Sequence, residues 1–235
     1  MLAIFKKELR SYFTGVIGYV FLVVFLAVAG VVFAYTTLFA MSSDVTAYYT
    51  FMLIFSAIIL PILTMKSFSE EKKMRTEQLL LTAPVSLTSM VLGKFLACYA
   101  IFGGATVFTS FYFLVLIPYA PLKLALLVGN AIALLLVGGV FISIGLFISS
   151  LTENQLSSAV GTIAIILSLL GVGLLTSLIP TNYTIRFVLD AISIFTRFQT
   201  FTNGYFDLAS IVYYLSVSAV FIFLTIRVYD RRRYN

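Results

Sequence analysis

The sequence contains no histidine and no tryptophan, and only one of its 235 residues, Cys98, is a cysteine. A single cysteine excludes a disulfide within the chain, and its position in an apolar stretch favours a role in helix packing. The lack of histidine argues against a metal-dependent enzyme and against a proton relay built on imidazole groups.

Charged residues are also scarce: they make up 10% of the chain, against 61% hydrophobic residues, and the mean hydropathy is +1.10. A soluble domain is about one quarter charged, so this composition predicts a membrane protein. The net charge of +6 then marks membrane orientation and not binding to nucleic acid. The centres of the apolar runs carry almost no ionisable groups, which argues against an intramembrane enzyme or a proton-coupled carrier.

Six apolar runs are long enough to cross a bilayer, which takes about 20 helical residues. They cover residues 16–40, 48–65, 90–117, 123–150, 156–178 and 208–228. We therefore expect an all-α polytopic membrane protein with six transmembrane helices, forming a single domain over residues 1–235. Glycines within the runs predict close helix packing, because small residues let helix backbones approach each other.

Two further segments predict helices that do not span the membrane. Near the N-terminus, apolar residues recur at helical spacing opposite three cations, which predicts an amphipathic interfacial helix. The apolar positions are Leu2, Phe5, Leu9, Tyr12 and Phe13, and the cations are Lys6, Lys7 and Arg10. Between Pro180 and Asp207 the chain is too apolar for a solvated loop and too charged to span. That segment predicts an external re-entrant or interfacial helical hairpin before the last span.

Lysine and arginine are distributed unevenly between the two predicted sides of the membrane. With both termini in the cytoplasm, twelve of the 15 basic residues fall on the inner side, and the remaining three are Lys123, Arg186 and Arg197. Because cytoplasmic loops carry the excess of basic residues, the sequence predicts that both termini are cytoplasmic. The loop between the second and third spans is then cytoplasmic too.

That loop holds a quarter of all the charges in the chain. Residues 67–86 read SFSEEKKMRTEQLLLTAPVS, and the charged positions are Glu70, Glu71, Lys72, Lys73, Arg75 and Glu77. Ser67 and Glu70 have the spacing of a capping box, and Glu70 with Lys73 and Glu71 with Arg75 have the spacing of helical ion pairs. The pattern predicts a short charged helix that ends before Pro84, with Ser86 capping the next helix. A solvated loop of mixed charge remains an equal alternative on these residues alone.

The charged stretch is followed by TEQLLLTAPVS and then by LGKFLA, and this ordered pattern resembles the cytoplasmic signature of ABC-transporter permeases of the type-two exporter class. The matching positions are Glu70, Glu71, Thr76, Leu80, Leu81, Pro84, Val85, Ser86, Gly93 and Lys94. Arg75 departs from the pattern, since the family often has glycine there. The C-terminal part, with FTRFQTF, Gly204, Asp207, a tyrosine-rich span and the basic RRR, is similar to the gliding-motility and nitrous-oxide-reductase-maturation subgroup.

The resemblance implies a permease subunit that is not itself an enzyme, in the plasma (inner) membrane of a prokaryote. Its partners would be two copies of an ABC ATPase subunit, a second permease copy or a sister permease, and an extracytoplasmic auxiliary protein. ATP and Mg would bind the ATPase, and this chain has Thr88 where a P-loop ending at Gly93 and Lys94 needs its first glycine. The resemblance places the ATPase-docking, or coupling, helix at Glu70, Glu71, Lys72, Lys73, Arg75, Thr76, Glu77 and Pro84, with a secondary cytoplasmic contact at Glu153, Asn154 and Gln155.

Two alternatives to an ATP-driven exporter remain open from the sequence. In the first, ATP-driven motion acts on an extracytoplasmic partner protein as a mechanotransmission or assembly scaffold, and nothing crosses the membrane. In the second, the chain is a channel or carrier without an ATPase, which would leave the charged loop without a use. The transported substrate is not encoded in any motif, and by the resemblance a pathway would run between two permease halves along spans one, two and five.

Overall fold

Every regular element in the described part of the chain is a helix. The computed structural model describes residues 1–74, 86–116, 118, 124–178, 192–202, 204 and 207–234, with backbone alone for residues 174–178 and 233–234. The helices are α1 (Leu2–Thr14), α2 (Val16–Phe33, continued by a π-helical segment over Ala34–Phe39), α3 (Val45–Lys73), α4 (Leu87–Ser110, continued by a 3₁₀ segment over Phe111–Leu116), α5 (Leu124–Leu151), α6 (Gln155–Leu178), α7 (Ile194–Thr202) and α8 (Leu208–Tyr234).

Six of these helices are long and apolar enough to cross a membrane, which confirms the six predicted spans. They are α2, α3, α4, α5, α6 and α8. Their ends agree with the predicted runs to within three residues, except at the end of α8, which extends to Tyr234, and at the end of α3. There the second span continues past the predicted limit at residue 65 as one unbroken helix to Lys73. The described part of the charged stretch, from Glu70 to Lys73, is therefore the last turn of the second span's own helix and not a separate short helix.

The predicted capping box at Ser67 is wrong for the same reason. Ser67 lies inside α3, which begins at Val45, so Ser67 is not at a helix N-terminus and has no free N–H groups to cap. The predicted pair of Glu70 with Lys73 is also replaced, because Glu70 contacts Lys66 one turn earlier at 3.3 Å. The pattern Ser-x-x-Glu has the same spacing inside a helix as at its start, and buried neighbours on either side of Ser67 keep the helix intact.

Helix α5 forms the centre of the bundle, with α3, α4, α6, α7 and α8 packed around it. At Gly138, a Cβ atom would overlap the ring of Phe102 on α4, and at Gly145 it would overlap the hydroxyl of Thr64 on α3. These two glycines confirm the prediction that small residues permit close helix packing. Gly104 and Gly171, in contrast, have no atom within 4 Å of the position that a Cβ would take.

Three polar side chains fix where helices begin. Asp44 accepts a hydrogen bond from the Thr46 N–H at 2.9 Å at the start of α3. Ser86 accepts one from the Ser89 N–H at 3.3 Å at the start of α4, which confirms the predicted cap. At the start of α8, hydrogen bonds from the Ser210 hydroxyl and from backbone N–H groups lower the pKa of Asp207, so the capping carboxylate stays ionised.

The two predicted non-spanning segments have different outcomes. Helix α1 confirms the predicted N-terminal helix, with Lys6, Lys7 and Arg10 exposed, and it packs mainly on α4 and also on α2. Within the predicted outer segment, α7 is helical and buries Ile194, Phe198 and Phe201, as expected for its apolar side chains. Residues 180–191, 203, 205 and 206 of the predicted hairpin lie outside the described residues.

Candidate functional site

Five elements meet at one end of the bundle, which we call the charged end: α1, the last turns of α3, the beginning of α4, the turn between α5 and α6, and the end of α8. Its central group is Lys94 on α4, whose side chain is 2% exposed. The Lys94 Nζ atom lies 2.8 Å from the Glu71 carboxylate on α3 and 3.2 Å from the Glu8 carboxylate on α1. Nζ also donates to the Ser67 carbonyl oxygen at 2.7 Å, which completes three hydrogen bonds.

This buried ion cluster joins three helices through one ammonium group. A buried charge is costly unless it is paired and hydrogen-bonded. Here α3 supplies the Glu71 carboxylate and the Ser67 carbonyl oxygen, and α1 supplies the Glu8 carboxylate. The Phe68 ring adds a cation–π contact, with Nζ 4.9 Å from its centroid. Any movement of the end of α3 relative to α1 or α4 must therefore break or carry along a buried ionic contact.

Helix α1 is held against the bundle at two further points. At Gly93, a Cβ atom would come within 2.9 Å of Ile4, so the absence of a side chain allows α1 to cross α4 closely. The Tyr12 hydroxyl donates to the Leu63 carbonyl oxygen at 3.1 Å and lies 3.2 Å from the Cys98 thiol. Burial, reinforced by the neighbouring thiol, raises the pKa of Tyr12, so the hydroxyl keeps the proton that it donates.

The opposite face of the α3 end contacts the turn between α5 and α6. The hydroxyls of Ser69 and Ser149 are 3.1 Å apart, and both side chains are completely buried. One turn further, Lys72 lies 3.4 Å from the Glu153 carboxylate and 3.5 Å from the Leu151 carbonyl oxygen. A cation beside the last carbonyls of a helix is favourable, and Lys72 takes that place at the end of α5.

The last turns of α8 are the fifth element of the charged end and contact both α3 and the end of α5. The rings of Phe68 on α3 and Tyr229 on α8 have centroids 4.9 Å apart. Arg232 on α8 donates a 2.8 Å hydrogen bond to the Ser150 carbonyl oxygen, beside the carbonyl that Lys72 approaches. The end of α3 thus contacts α1, α4, α8 and the turn between α5 and α6, all within its last two turns.

A polar cleft of about 440 Å³ lies between α1, α3 and α4. Its charged lining residues are Lys7, Glu8, Lys66, Glu70, Glu71 and Lys94. Equal numbers of cations and anions line it, so it presents no net charge for an ionic ligand. Among the described residues, no group of three or more His, Cys, Asp or Glu side chains is placed to hold a metal ion.

The structure separates the predicted docking residues into inward-facing and outward-facing groups. Glu71 is turned into the ion cluster, Glu70 lines the cleft beside Lys66, and Lys72 bridges to the turn between α5 and α6. Only Lys73, at the end of α3, is exposed among the predicted docking residues that the structure describes. The others, Arg75, Thr76, Glu77 and Pro84, lie outside the described residues.

The three residues of the predicted secondary contact, Glu153, Asn154 and Gln155, have different surroundings in the structure. Glu153 is 72% exposed although it reaches Lys72, so most of its carboxylate remains available at the surface. Asn154 accepts a hydrogen bond from the Leu156 N–H at 3.0 Å, and Gln155 begins α6. The two predicted inner contacts are thus neighbours, joined by the pair Lys72 and Glu153.

Sequence reasoning missed two members of the ion cluster, Glu8 and Lys94, as functional residues. In the sequence, Lys94 is part of the family signature and is counted as a basic residue on the inner side, but it is not placed in the docking site. Glu8 carried a usable signal, because it is the only acidic residue before Asp44 and it lies between Lys7 and Arg10 on a basic helix. A single carboxylate in such a place predicts a buried cation partner, although it does not say which one.

Comparison with known proteins identifies the family. The sequence profile described as ABC-2 family transporter protein matches residues 2–233, which is nearly the whole chain. The chain belongs to this family. Among curated proteins, none matches the chain significantly. As an ABC-2 family transporter, the chain is a membrane transport component, and its family normally works with an ABC ATPase partner.

The family also gives the charged end a context. The ATPase of this family is typically a separate subunit. The charged end is the part of the described structure where the ion pairs concentrate.

Proposed function

We propose that the chain is the membrane-spanning permease subunit of an ATP-driven exporter, and that α3 transmits the motion of a separate ATPase to a pathway at a permease dimer interface. The observation that carries the proposal is the unbroken course of α3 from within the membrane to Lys73. A partner docked at the end of a helix displaces the contacts along it, here at least as far as Pro61, which interrupts the backbone hydrogen bonds of α3. The predicted docking segment, residues 70–84, begins within the last turn of this helix.

The buried contacts of α3 explain how that motion would spread. Glu71 links it to α4 and α1 through Lys94, and the buried Ser69 hydroxyl links it to the end of α5 through Ser149. Buried packed elements shift between discrete arrangements and do not deform continuously, so these links would move α1, α4 and α5 together. Inward-facing Glu71 then acts within the permease, and the outward-facing part of the segment contacts the ATPase.

The docking surface can be tested with a charge swap that spares the ion cluster. In Lys73→Glu combined with Glu77→Lys, the net charge and the expected membrane orientation are unchanged. Like charges would then face each other across the contact, so we expect at least about tenfold weaker binding of the ATPase at low salt. The measurement is co-purification of the ATPase and its hydrolysis rate with the permease in nanodiscs.

A matched control uses the exposed pair Arg227 and Asp230 on α8, which are 3.4 Å apart at the same end. Swapping them, as Arg227→Asp with Asp230→Arg, makes an equal change in charge away from the docking segment. Full ATPase binding by the Lys73 and Glu77 variant, or an equal loss in the α8 variant, would contradict the proposed docking surface.

The proposed orientation places the charged end in the cytoplasm, and cysteine labelling tests it. Cys98 is completely buried, so a cysteine introduced at an exposed position reports its own accessibility. We expect Ser43→Cys, at the opposite end, to react with an impermeant maleimide in intact cells. Lys73→Cys should react only after the membrane is opened, and labelling of Lys73→Cys in intact cells would reverse the orientation.

We also propose the finer partner assignments that the sequence suggests. Two ATPase copies and a second permease would complete the assembly in a prokaryotic plasma membrane, with both termini of this chain cytoplasmic. The subgroup similarity to gliding-motility and nitrous-oxide-reductase-maturation permeases favours an extracytoplasmic auxiliary protein as an additional partner. Stimulation of the ATPase in liposomes by a transported molecule supports export, and stimulation by a protein partner alone supports a scaffold.

A further inference from the structure

Helix α1 presents two exposed cations on one face, outside the ion cluster. Lys6 and Arg10 are four residues apart on α1, so their side chains are neighbours on the helix surface. Glu8 lies between them in the sequence but is turned to the other side, where its carboxylate contacts Lys94 at 3.2 Å. Two like charges at this spacing repel each other, so an anion held between Lys6 and Arg10 would be favoured.

An open apolar groove of about 260 Å³ lies beside these cations, between α1 and α4. Its described lining residues are Met1, Leu2, Phe5, Leu96, Tyr99 and Ala100. The two walls are held together at Gly93, where a Cβ atom would come within 2.9 Å of Ile4. Leu2 precedes Lys6 by four residues and shares its face of α1, so the groove and the cations are adjacent.

The groove lies where hydrocarbon from a bilayer can enter it. Its α4 wall belongs to the membrane-spanning helix Leu87–Leu116. On the α1 wall, Leu2 is 72% exposed and Met1 is 51% exposed, so the protein leaves much of their apolar surface uncovered. An interfacial helix buries such residues at the boundary of the acyl chains and keeps its cations among the headgroups. The apolar wall and the neighbouring cations of α1 therefore match the tail and the headgroup of one lipid.

We propose that the groove and the two cations form a binding site for an anionic phospholipid of the adjoining leaflet. One acyl chain would lie in the groove, and the phosphate would lie between Lys6 and Arg10. Basic residues near the membrane surface attract anionic lipids, and an arginine can bind a phosphate group with two hydrogen bonds. Charge complementarity favours this ligand over a zwitterionic lipid, whose cationic group would lie near two cations. The site is separate from the proposed ATPase-docking segment at the end of α3.

A photoactivatable phosphatidylglycerol tests the site in phosphatidylcholine nanodiscs that contain the full-length chain without its ATPase. The photoactivatable group is carried in one acyl chain, so labelling should fall on the peptides that contain Leu2 and Ala100. The comparison probe is a phosphatidylcholine with the same labelled chain. Each basic residue near an anionic headgroup is worth about fivefold in binding, so we expect about five- to thirtyfold stronger labelling by the anionic probe. Equal labelling by the two probes overturns the proposal and leaves the cations to an acidic protein surface.

The contribution of the cations is tested with Lys6→Gln combined with Arg10→Gln. This variant should lower labelling by the anionic probe to the level of the neutral probe. The matched control is Arg227→Gln with Arg231→Gln on α8, which also removes two exposed cations four residues apart at the charged end. The control should keep the full preference for the anionic probe. An unchanged preference in the α1 variant, or an equal loss in the α8 variant, would contradict a specific site.

The contribution of the groove is tested with Ala100→Phe, which places a ring in the groove from the α4 side. We expect severalfold weaker labelling of the α4 peptide by the anionic probe. Ala27→Phe on α2 is the control, since Ala27 is equally an exposed alanine in a spanning helix and should leave labelling unchanged. Unchanged labelling of Ala100→Phe would overturn the tail position. All these substitutions are at exposed residues, so an unchanged melting temperature shows that weaker labelling reflects a lost contact and not misfolding. Because the experiment contains no ATPase, failure at this site is distinguishable from failure of the proposed docking surface.

Discussion

Replacing Lys94 with methionine is expected to destabilise the protein by about 3–5 kcal/mol, because it leaves two carboxylates without their buried cation. Glu71 and Glu8 are both largely buried, and each contacts Lys94, at 2.8 and 3.2 Å. Methionine has a similar length and no charge, so the loss reports the ionic contacts more than the packing. Thermal unfolding in nanodiscs measures the effect as a lower melting temperature.

The control is Lys66→Met on α3, which removes a cation from a partly exposed pair. Lys66 and Glu70 are 3.3 Å apart and each keeps a quarter to a third of its side chain exposed, so solvent screens their interaction. We expect a loss of about 1 kcal/mol or less there. Adding Glu8→Gln and Glu71→Gln to Lys94→Met should restore much of the stability, since no unpaired charge would remain.

Two results would contradict a structural ion cluster. One is a Lys94→Met protein that melts at the same temperature as Lys66→Met. The other is a triple variant that is less stable than Lys94→Met alone. Adding Lys73→Met to the series separates the two groups of predicted docking residues, because the outward-facing Lys73 should tolerate substitution without any loss of stability.

The helical framework was predictable because run length alone decides which segments can span a bilayer. The runs that form α2, α4, α5, α6 and α8 can be identified without knowing which helices pack around them, since each spanning helix satisfies its own backbone hydrogen bonds. The error at Ser67 shows the limit of local patterns. A serine followed by a glutamate three residues later caps a helix only where the helix begins, and burial against α4 and α5 kept α3 continuous.

The candidate site was predictable only in part because its contacts are distant along the chain. Glu71 and Lys94 are separated by 23 positions, and Glu8 and Lys94 by 86. Spacing rules find partners three or four residues apart, so they assigned Glu71 a partner on its own helix. The charge density of the stretch did indicate the end of the molecule where the ion cluster lies. Its division into inward-facing and outward-facing residues came only from the packing of α3.

The second large effect is expected where α3 crosses α5 at Gly145. A methyl group in Gly145→Ala would overlap the Thr64 hydroxyl and come within 2.9 Å of the Thr64 Cβ atom, which is fixed to the α3 backbone. We expect a loss of about 1–3 kcal/mol, the usual cost of overpacking. Gly104→Ala on α4 is the control, since nothing lies within 4 Å of its new methyl group. Alanine favours helix over glycine, so that variant should gain up to about 1 kcal/mol.

The test is specific because the two substitutions are expected to change stability in opposite directions, a loss for Gly145→Ala and a gain for Gly104→Ala. Both are glycine-to-alanine changes within spanning helices, so a difference in melting temperature reflects the neighbours of each glycine. Adding Thr64→Gly to Gly145→Ala should recover part of the loss, because it removes the atoms that the new methyl group meets. If Gly145→Ala is as stable as Gly104→Ala, α3 and α5 do not pack this closely. The path by which motion of α3 reaches the centre of the bundle would then not run through this crossing.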